Sequence, residues 1–129
     1  MTLEEFRQYC LSLEGTYEYY PFVKRDDYYN DAAVFYVGPK WFAMVNTELF
    51  DYCNLKCDSE RIPALIDAYS GIRPGYHMNK KHWISVYFDD DVPDELLREL
   101  ILRSYTLVKS KLTKKQLAEL NPIEGFKKE

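Results

Sequence analysis

Between Arg73 and Trp83 the chain places three cations, Arg73, Lys80 and Lys81, with no acid among them, and interleaves them with Tyr76, His77, Asn79, His82 and Trp83. Cationic side chains contact phosphates, and aromatic rings stack on unpaired bases, so this mixture suits nucleic acid. Lys56 is expected to join it from a neighbouring strand. The same residues also fit a structural role. In that case Trp83 fills the core, Tyr76 or His77 fixes the loop through a backbone bond, and the lysines are simply solvated.

Other chemistries find less support. His77 and His82 lie five residues apart, so in an extended segment they face opposite ways and share neither a metal nor a proton. Cys53 and Cys57 fall in a β-rich run, where four residues span about 13 Å, too far for one zinc ion to bridge. Asp89-Asp90-Asp91 has the oxygens for a hard cation, but before Pro93 it reads chiefly as a turn and helix cap. Tyr105 sits mid-helix on an apolar stripe, as a core tyrosine with a satisfied hydroxyl does. The chain has no glycine-rich phosphate loop, zinc motif or nucleophile elbow. Sequence therefore points to no catalytic residue, no metal site and no cofactor.

Composition agrees with a folded, non-membrane protein. The chain has 129 residues, 47% hydrophobic and 29% charged, with a net charge of −4. This is one ordinary domain, long enough to bury a core without disulfides or metals. Aromatic residues reach 16%, including 12 tyrosines, which alone fits either a stacking surface or dense packing. The acidic start Met1-Thr2-Leu3-Glu4-Glu5 is not expected to act as a secretory leader, and three cysteines leave at least one thiol unpaired within the chain. A cytoplasmic location is expected from these features. Charge is uneven: Leu100 to Ala118 contains Arg103, Lys109, Lys111, Lys114 and Lys115 and no acid. That run fits either a phosphate-facing surface or a solvated helix end that complements the macrodipole.

The positioning elements follow from periodicity. Thr2 and Glu5 form a capping box, and Leu3, Phe6, Cys10 and Leu13 recur at helical spacing before Gly15. Thr16 to Tyr20 reads as a short extended piece, and Asp26 to Asp31 as a tyrosine-rich loop. Ala32 to Val37 and Trp41 to Asn46 flank Gly38-Pro39-Lys40 as a hairpin, and Phe50 to Lys56 continues as a third strand. Ile62, Leu65, Ile66 and Tyr69 mark a second helix. Arg73-Pro74-Gly75 reads as a loop and His82 to Phe88 as a strand. Asp91 is expected to cap a long helix carrying Leu97, Leu100, Ile101, Tyr105, Val108 and Leu112, with Asp94 at its third position. A short helix over 113–120 precedes a loose tail over 121–129. The order α-β-β-β-α-β-α-α predicts an α+β domain over 1–120, an antiparallel β-sheet with helices packed on one face.

The segment Gly75-Tyr76-His77-Met78-Asn79-Lys80-Lys81-His82-Trp83 resembles the MmcQ/YjbR family. Pro21-Phe22, Leu55-Lys56-Cys57-Asp58 and Ser104-Tyr105-Thr106-Leu107-Val108 agree with it in order and spacing. Val23 stands where the family pattern has glycine. The resemblance implies a CyaY-like (frataxin-like) fold and a "double wing" mode of DNA binding, with β-hairpin elements approaching the duplex. A frataxin-like fold also raises iron binding, but Glu4, Glu5, Glu14, Glu18, Asp26, Asp27 and Asp31 are scattered, as on a solvated face. The expected function is thus a non-enzymatic domain that binds DNA weakly through Lys56, Arg73, Tyr76, His77, Asn79, Lys80, Lys81 and His82. The alternative is a protein-interaction module using aromatics on the open sheet face.

Overall fold

A computed structural model describes residues 1–120; the expected tail over 121–129 lies outside the described residues. The chain runs α1 (Leu3–Leu11), β1 (Thr16–Tyr19), a 3-10 turn (Tyr28–Asp31), β2 (Ala32–Val37), β3 (Lys40–Asn46), β4 (Tyr52–Lys56), α2 (Ile62–Ala68), β5 (Ile72–Pro74), β6 (Trp83–Tyr87), α3 (Asp94–Lys109) and α4 (Lys114–Ala118). The six strands form one sheet in the order β1-β2-β3-β4-β6-β5, with every pairing antiparallel. This is the α+β architecture expected from the sequence. Among the described residues no helix is long and apolar enough to cross a membrane.

Strand alternation decides which side chains meet. Cys53 and Leu55 of β4 and Ile84 and Val86 of β6 project toward the helices with Ala43 and Val45. Phe6 and Cys10 of α1, Leu65 of α2, and Leu97, Leu100, Ile101, Tyr105 and Val108 of α3 close that core. Phe6 meets Phe35 edge to face at 5.7 Å, and Ser104 ties α3 to the sheet by donating to the Phe42 carbonyl and accepting from Lys56 N–H. The thiols of Cys10, Cys53 and Cys57 are free and buried in this layer. Burial pushes the Cys57 thiol up to about 11, so it packs as a neutral side chain.

The opposite face carries Tyr52, Asn54 and Lys56 of β4, registered against Tyr87, Ser85 and Trp83 of β6. Val34 and Met44 continue it and are covered by Phe22, Tyr29, Tyr36 and Trp41. The segment before β2 therefore folds over the sheet, so one part of the aromatic excess is a second packed layer.

Several local expectations change. The element order gains β1 and β5. The expected loop Arg73-Pro74-Gly75 is partly strand, because Pro74 lies on the edge strand, where a missing N–H costs no ladder bond. Strand β4 begins at Tyr52 rather than Phe50, since Phe50 has a positive φ of 44° that interrupts the extended run. The Phe50 ring instead stacks on Phe88 at 3.9 Å. Asp91 does not cap α3. That position is Pro93, and the Asp91 carboxylate accepts from the backbone N–H groups of Ser70 and Gly71 at 2.8 and 2.9 Å. Those two donors just past α2 have no helical acceptor, so they take the Asp91 carboxylate, which lies two residues ahead of the cap at Pro93.

Candidate nucleic-acid interface

The loop between β5 and β6 is shaped by a close approach and a sharp turn. Gly75 N–H donates to the Trp83 carbonyl at 3.0 Å, and a Cβ on Gly75 would fall 2.8 Å from the Trp83 Cβ. His77 then takes a positive φ of 60°. Asn79 closes the turn: its side-chain oxygen accepts from Lys81 N–H at 2.9 Å, and its carbonyl accepts from His82 and Trp83. Beneath the loop, buried Ser85 accepts from Tyr76 N–H at 2.9 Å, and buried Asn54 donates to the Tyr76 carbonyl at 3.3 Å. Ser85 Oγ also donates to Asn54 Oδ1. Each of these groups would be costly to bury unpaired, so the pair holds the loop on the open face.

This geometry divides the residues singled out in the sequence. Lys56 and His82 line one cavity of about 330 Å³ with Ser59, Leu107 and Lys111. His82 Nδ1 lies 3.1 Å from Ser59 Oγ. Tyr76 and His77 line a different cavity, of about 430 Å³, over the open face. The two histidines therefore do not converge. Arg73 stacks over the Tyr87 ring at 4.0 Å and donates to the Ser70 carbonyl. Lys80 Nζ donates to the Gly75 carbonyl at 3.1 Å, and Asn79 is committed to its own turn. The Lys81 side chain is exposed, and its ammonium makes no hydrogen bond among the described residues.

The first cavity is electrostatically uneven. Lys56 is half-buried, and its ammonium is pushed below the ordinary lysine value by burial, then by the charges of Lys111 and Lys40. Of the acids on the rim, Asp58 is engaged by the Arg103 guanidinium through two bonds of 2.9 Å, and Glu60 is exposed. Among the described residues no carboxylate forms an ion pair with Lys40, Lys56 or Lys111. Lys56 and Lys111 line this cavity with the Ser59 hydroxyl and the His82 imidazole, and such a set can accept an anion such as a phosphate. Sequence reasoning found Lys56 and His82 but not Lys40 or Ser59. Lys111 was visible only as part of the acid-free run from Leu100 to Ala118.

A family model described as YjbR matches residues 11–107. The protein YbdF of Escherichia coli O157:H7 is 43% identical over 91 residues, covering 69% of this chain and 74% of that protein. The protein YjbR of Escherichia coli K12 is 33% identical over 108 residues, covering 81% of this chain and 85% of that protein. Among solved structures, the Deinococcus radiodurans protein DR2400, described as a DUF419 domain, superposes with a TM-score of 0.80. It is 38% identical and the match covers 99% of this chain and 96% of that one.

Proposed function

The chain belongs to the YjbR family, and from that premise we propose that it is a non-enzymatic domain that binds nucleic acid weakly through phosphate contacts at the basic end of the sheet. The observation that carries this reading is that half-buried Lys56 shares its cavity with Lys111, and burial, then the charges of Lys111 and Lys40, lower its ammonium with no ion-paired carboxylate among the described residues to offset them. Like charges held together repel, and an arriving phosphate relieves that repulsion. Lys81 and His82 flank the same end of β6 and extend the contact. Arg73, Asn79 and Lys80 shape the loop and contribute less, because their polar groups are already engaged. The free buried thiols suit a cytoplasmic protein.

Fluorescence anisotropy with labelled single- and double-stranded DNA tests the proposal. Binding at low salt is expected to weaken steeply as salt rises, and Lys56→Ala with Lys111→Ala to lower the slope by about two. No binding at low salt overturns it. A second reading has its own observation. On edge strand β1, Tyr17 and Tyr19 are 45% and 59% exposed, and Tyr17 stacks on Tyr36 at 5.0 Å. Such an edge suits a protein partner, whose binding would respond little to salt.

A further inference from the structure

Over the open face, five tyrosines (Tyr28, Tyr29, Tyr52, Tyr76 and Tyr87) and His77 converge with two carboxylates, Asp27 and Asp51, on a cavity of about 430 Å³ that shares no residue with the basic end of the sheet. Tyr28 stacks on Tyr52 at 5.7 Å, and Tyr52 meets Tyr87 at 5.0 Å and Tyr76 at 6.0 Å. His77 lies 4.2 Å from Tyr76, ring to ring. Asp51 completes the wall. Its Oδ1 accepts from the Tyr28 hydroxyl at 2.8 Å and from Tyr52 N–H at 2.9 Å.

The charge of Asp51 is the informative feature. Asp27, on the rim of the same cavity, is neutralised by Arg25 through bonds of 2.6 to 3.1 Å. Asp51 has no such partner: among the described residues no cation forms an ion pair with it. Its other oxygen, Oδ2, receives no hydrogen bond among them. The cavity therefore combines one carboxylate without an ion-pair partner among the described residues with several ring faces, which carry negative electrostatic potential. Burial raises the phenols of Tyr28 and Tyr52 above the ordinary tyrosine value. Cations already use this face, since the Arg73 guanidinium rests on Tyr87 at 4.0 Å.

We propose that this cavity binds an alkylated ammonium group, with the rings packing on its methyl groups and Asp51 balancing its charge. A metal ion is poorly served here, because hard cations take six or more oxygen ligands and the wall is mostly aromatic carbon. A nucleotide is disfavoured, because its phosphate would approach Asp51. A methylated ammonium keeps little of its hydration and gains from ring faces, which is the interaction that quaternary-ammonium cages use. The group can arrive on a free choline-like molecule or on a methylated lysine side chain of a peptide.

Titration followed by amide NMR tests the assignment. The probes are tetramethylammonium chloride, its neutral isostere tert-butyl alcohol, choline, and one peptide with either trimethylated or unmodified lysine. Tetramethylammonium is expected to shift the amides of Tyr76 and His77 and to bind about tenfold tighter than the alcohol. Asp51→Asn, which keeps an oxygen for Tyr28 and Tyr52, is expected to weaken tetramethylammonium by about tenfold with the alcohol unchanged. Tyr76→Ala, at an exposed ring, gives a second test with little risk to folding. Preference for choline identifies a small-molecule ligand, and preference for the trimethylated over the unmodified peptide identifies a side chain. Either supports the proposal. Equal binding of the ammonium and the alcohol, or an Asp51→Asn protein that binds as the parent does, overturns it.

Discussion

Asn54 and Ser85 face each other across β4 and β6, fully buried on the face without helices, and together they hold both backbone groups of Tyr76. Two polar side chains in the middle of an aromatic surface are costly unless every donor and acceptor is used. Here the Ser85 hydroxyl accepts from Tyr76 N–H and donates to Asn54, while the Asn54 amide reaches the Tyr76 carbonyl. The pair links the central sheet to the loop that carries Tyr76 and His77 over the tyrosine cavity.

Ser85→Ala is therefore expected to cost about 1–3 kcal/mol in urea unfolding, because it leaves Tyr76 N–H and Asn54 without their partner. The same substitution is expected to speed hydrogen exchange at the Tyr76 amide more than at core amides of β4. Exchange at Tyr76 that matches the parent protein would show that the loop is held by other contacts.

Gly75→Ala addresses the same loop through sterics. The added Cβ would lie 2.8 Å from the Trp83 Cβ and 3.0 Å from its carbonyl carbon and oxygen, none of which can swing away. The approach is fixed by the bond from Gly75 N–H to the Trp83 carbonyl. A loss of about 1–3 kcal/mol is expected, the usual cost of overpacking. An unchanged urea midpoint would mean that β5 and β6 separate more readily than the geometry implies.

Legibility from sequence followed the range of the interaction. The capping box of Thr2 and Glu5, the run Ala32–Val37 and the stripe from Leu97 to Leu112 were readable because caps, alternation and helical spacing are local patterns. Asp91 was misplaced because its real partners, Ser70 and Gly71, lie some twenty residues back and are brought close only by the β5-β6 pairing. Strand β5 was hidden because Pro74 and Gly75 mark turns everywhere except at a sheet edge. In the candidate site, closeness in sequence overstated closeness in space. The positive φ at His77 turns the loop so that Tyr76 and His77 face the tyrosine cavity and His82 faces the basic one. The basic cavity draws Lys56 and Ser59 from one segment, His82 from a second and Lys111 from a third, and no local pattern joins the three.

Acid is expected to weaken the fold through three carboxylates held below their ordinary values. The Arg103 guanidinium lowers Asp58, the backbone N–H groups of Gly71 and Ser70 lower Asp91, and Arg61 lowers Glu99. In each case the unfolded chain binds the proton more readily than the folded one, so stability rises with pH across the interval between the two values. The contribution is complete above the ordinary carboxylate range and is lost as pH falls below about 4 through the folded values. Urea midpoints measured between neutral pH and pH 3 should show this decline, and Asp91→Asn should be less stable at neutral pH and less sensitive to acid. A midpoint that rises as the solution is acidified contradicts the assignment.

Lys56 has the opposite sign and separates stability from binding. Its ammonium is lowered by burial and by Lys111 and Lys40, so the folded protein binds that proton less readily than the unfolded chain. At neutral pH the charged side chain therefore opposes folding, and stability increases as pH rises through the lowered value. Lys56→Met keeps the aliphatic stem along the sheet and removes the charge. Its urea midpoint is expected to exceed that of the parent at neutral pH, with the gain shrinking as pH approaches the ordinary lysine value. The same variant should bind DNA more weakly and with a salt slope reduced by about one. A more stable protein that binds less is what a lysine retained for an anion should give, because a lysine whose ammonium stabilised the fold would lose stability on the same change. A lower midpoint with unchanged DNA binding would assign Lys56 to the structure and remove it from the interface.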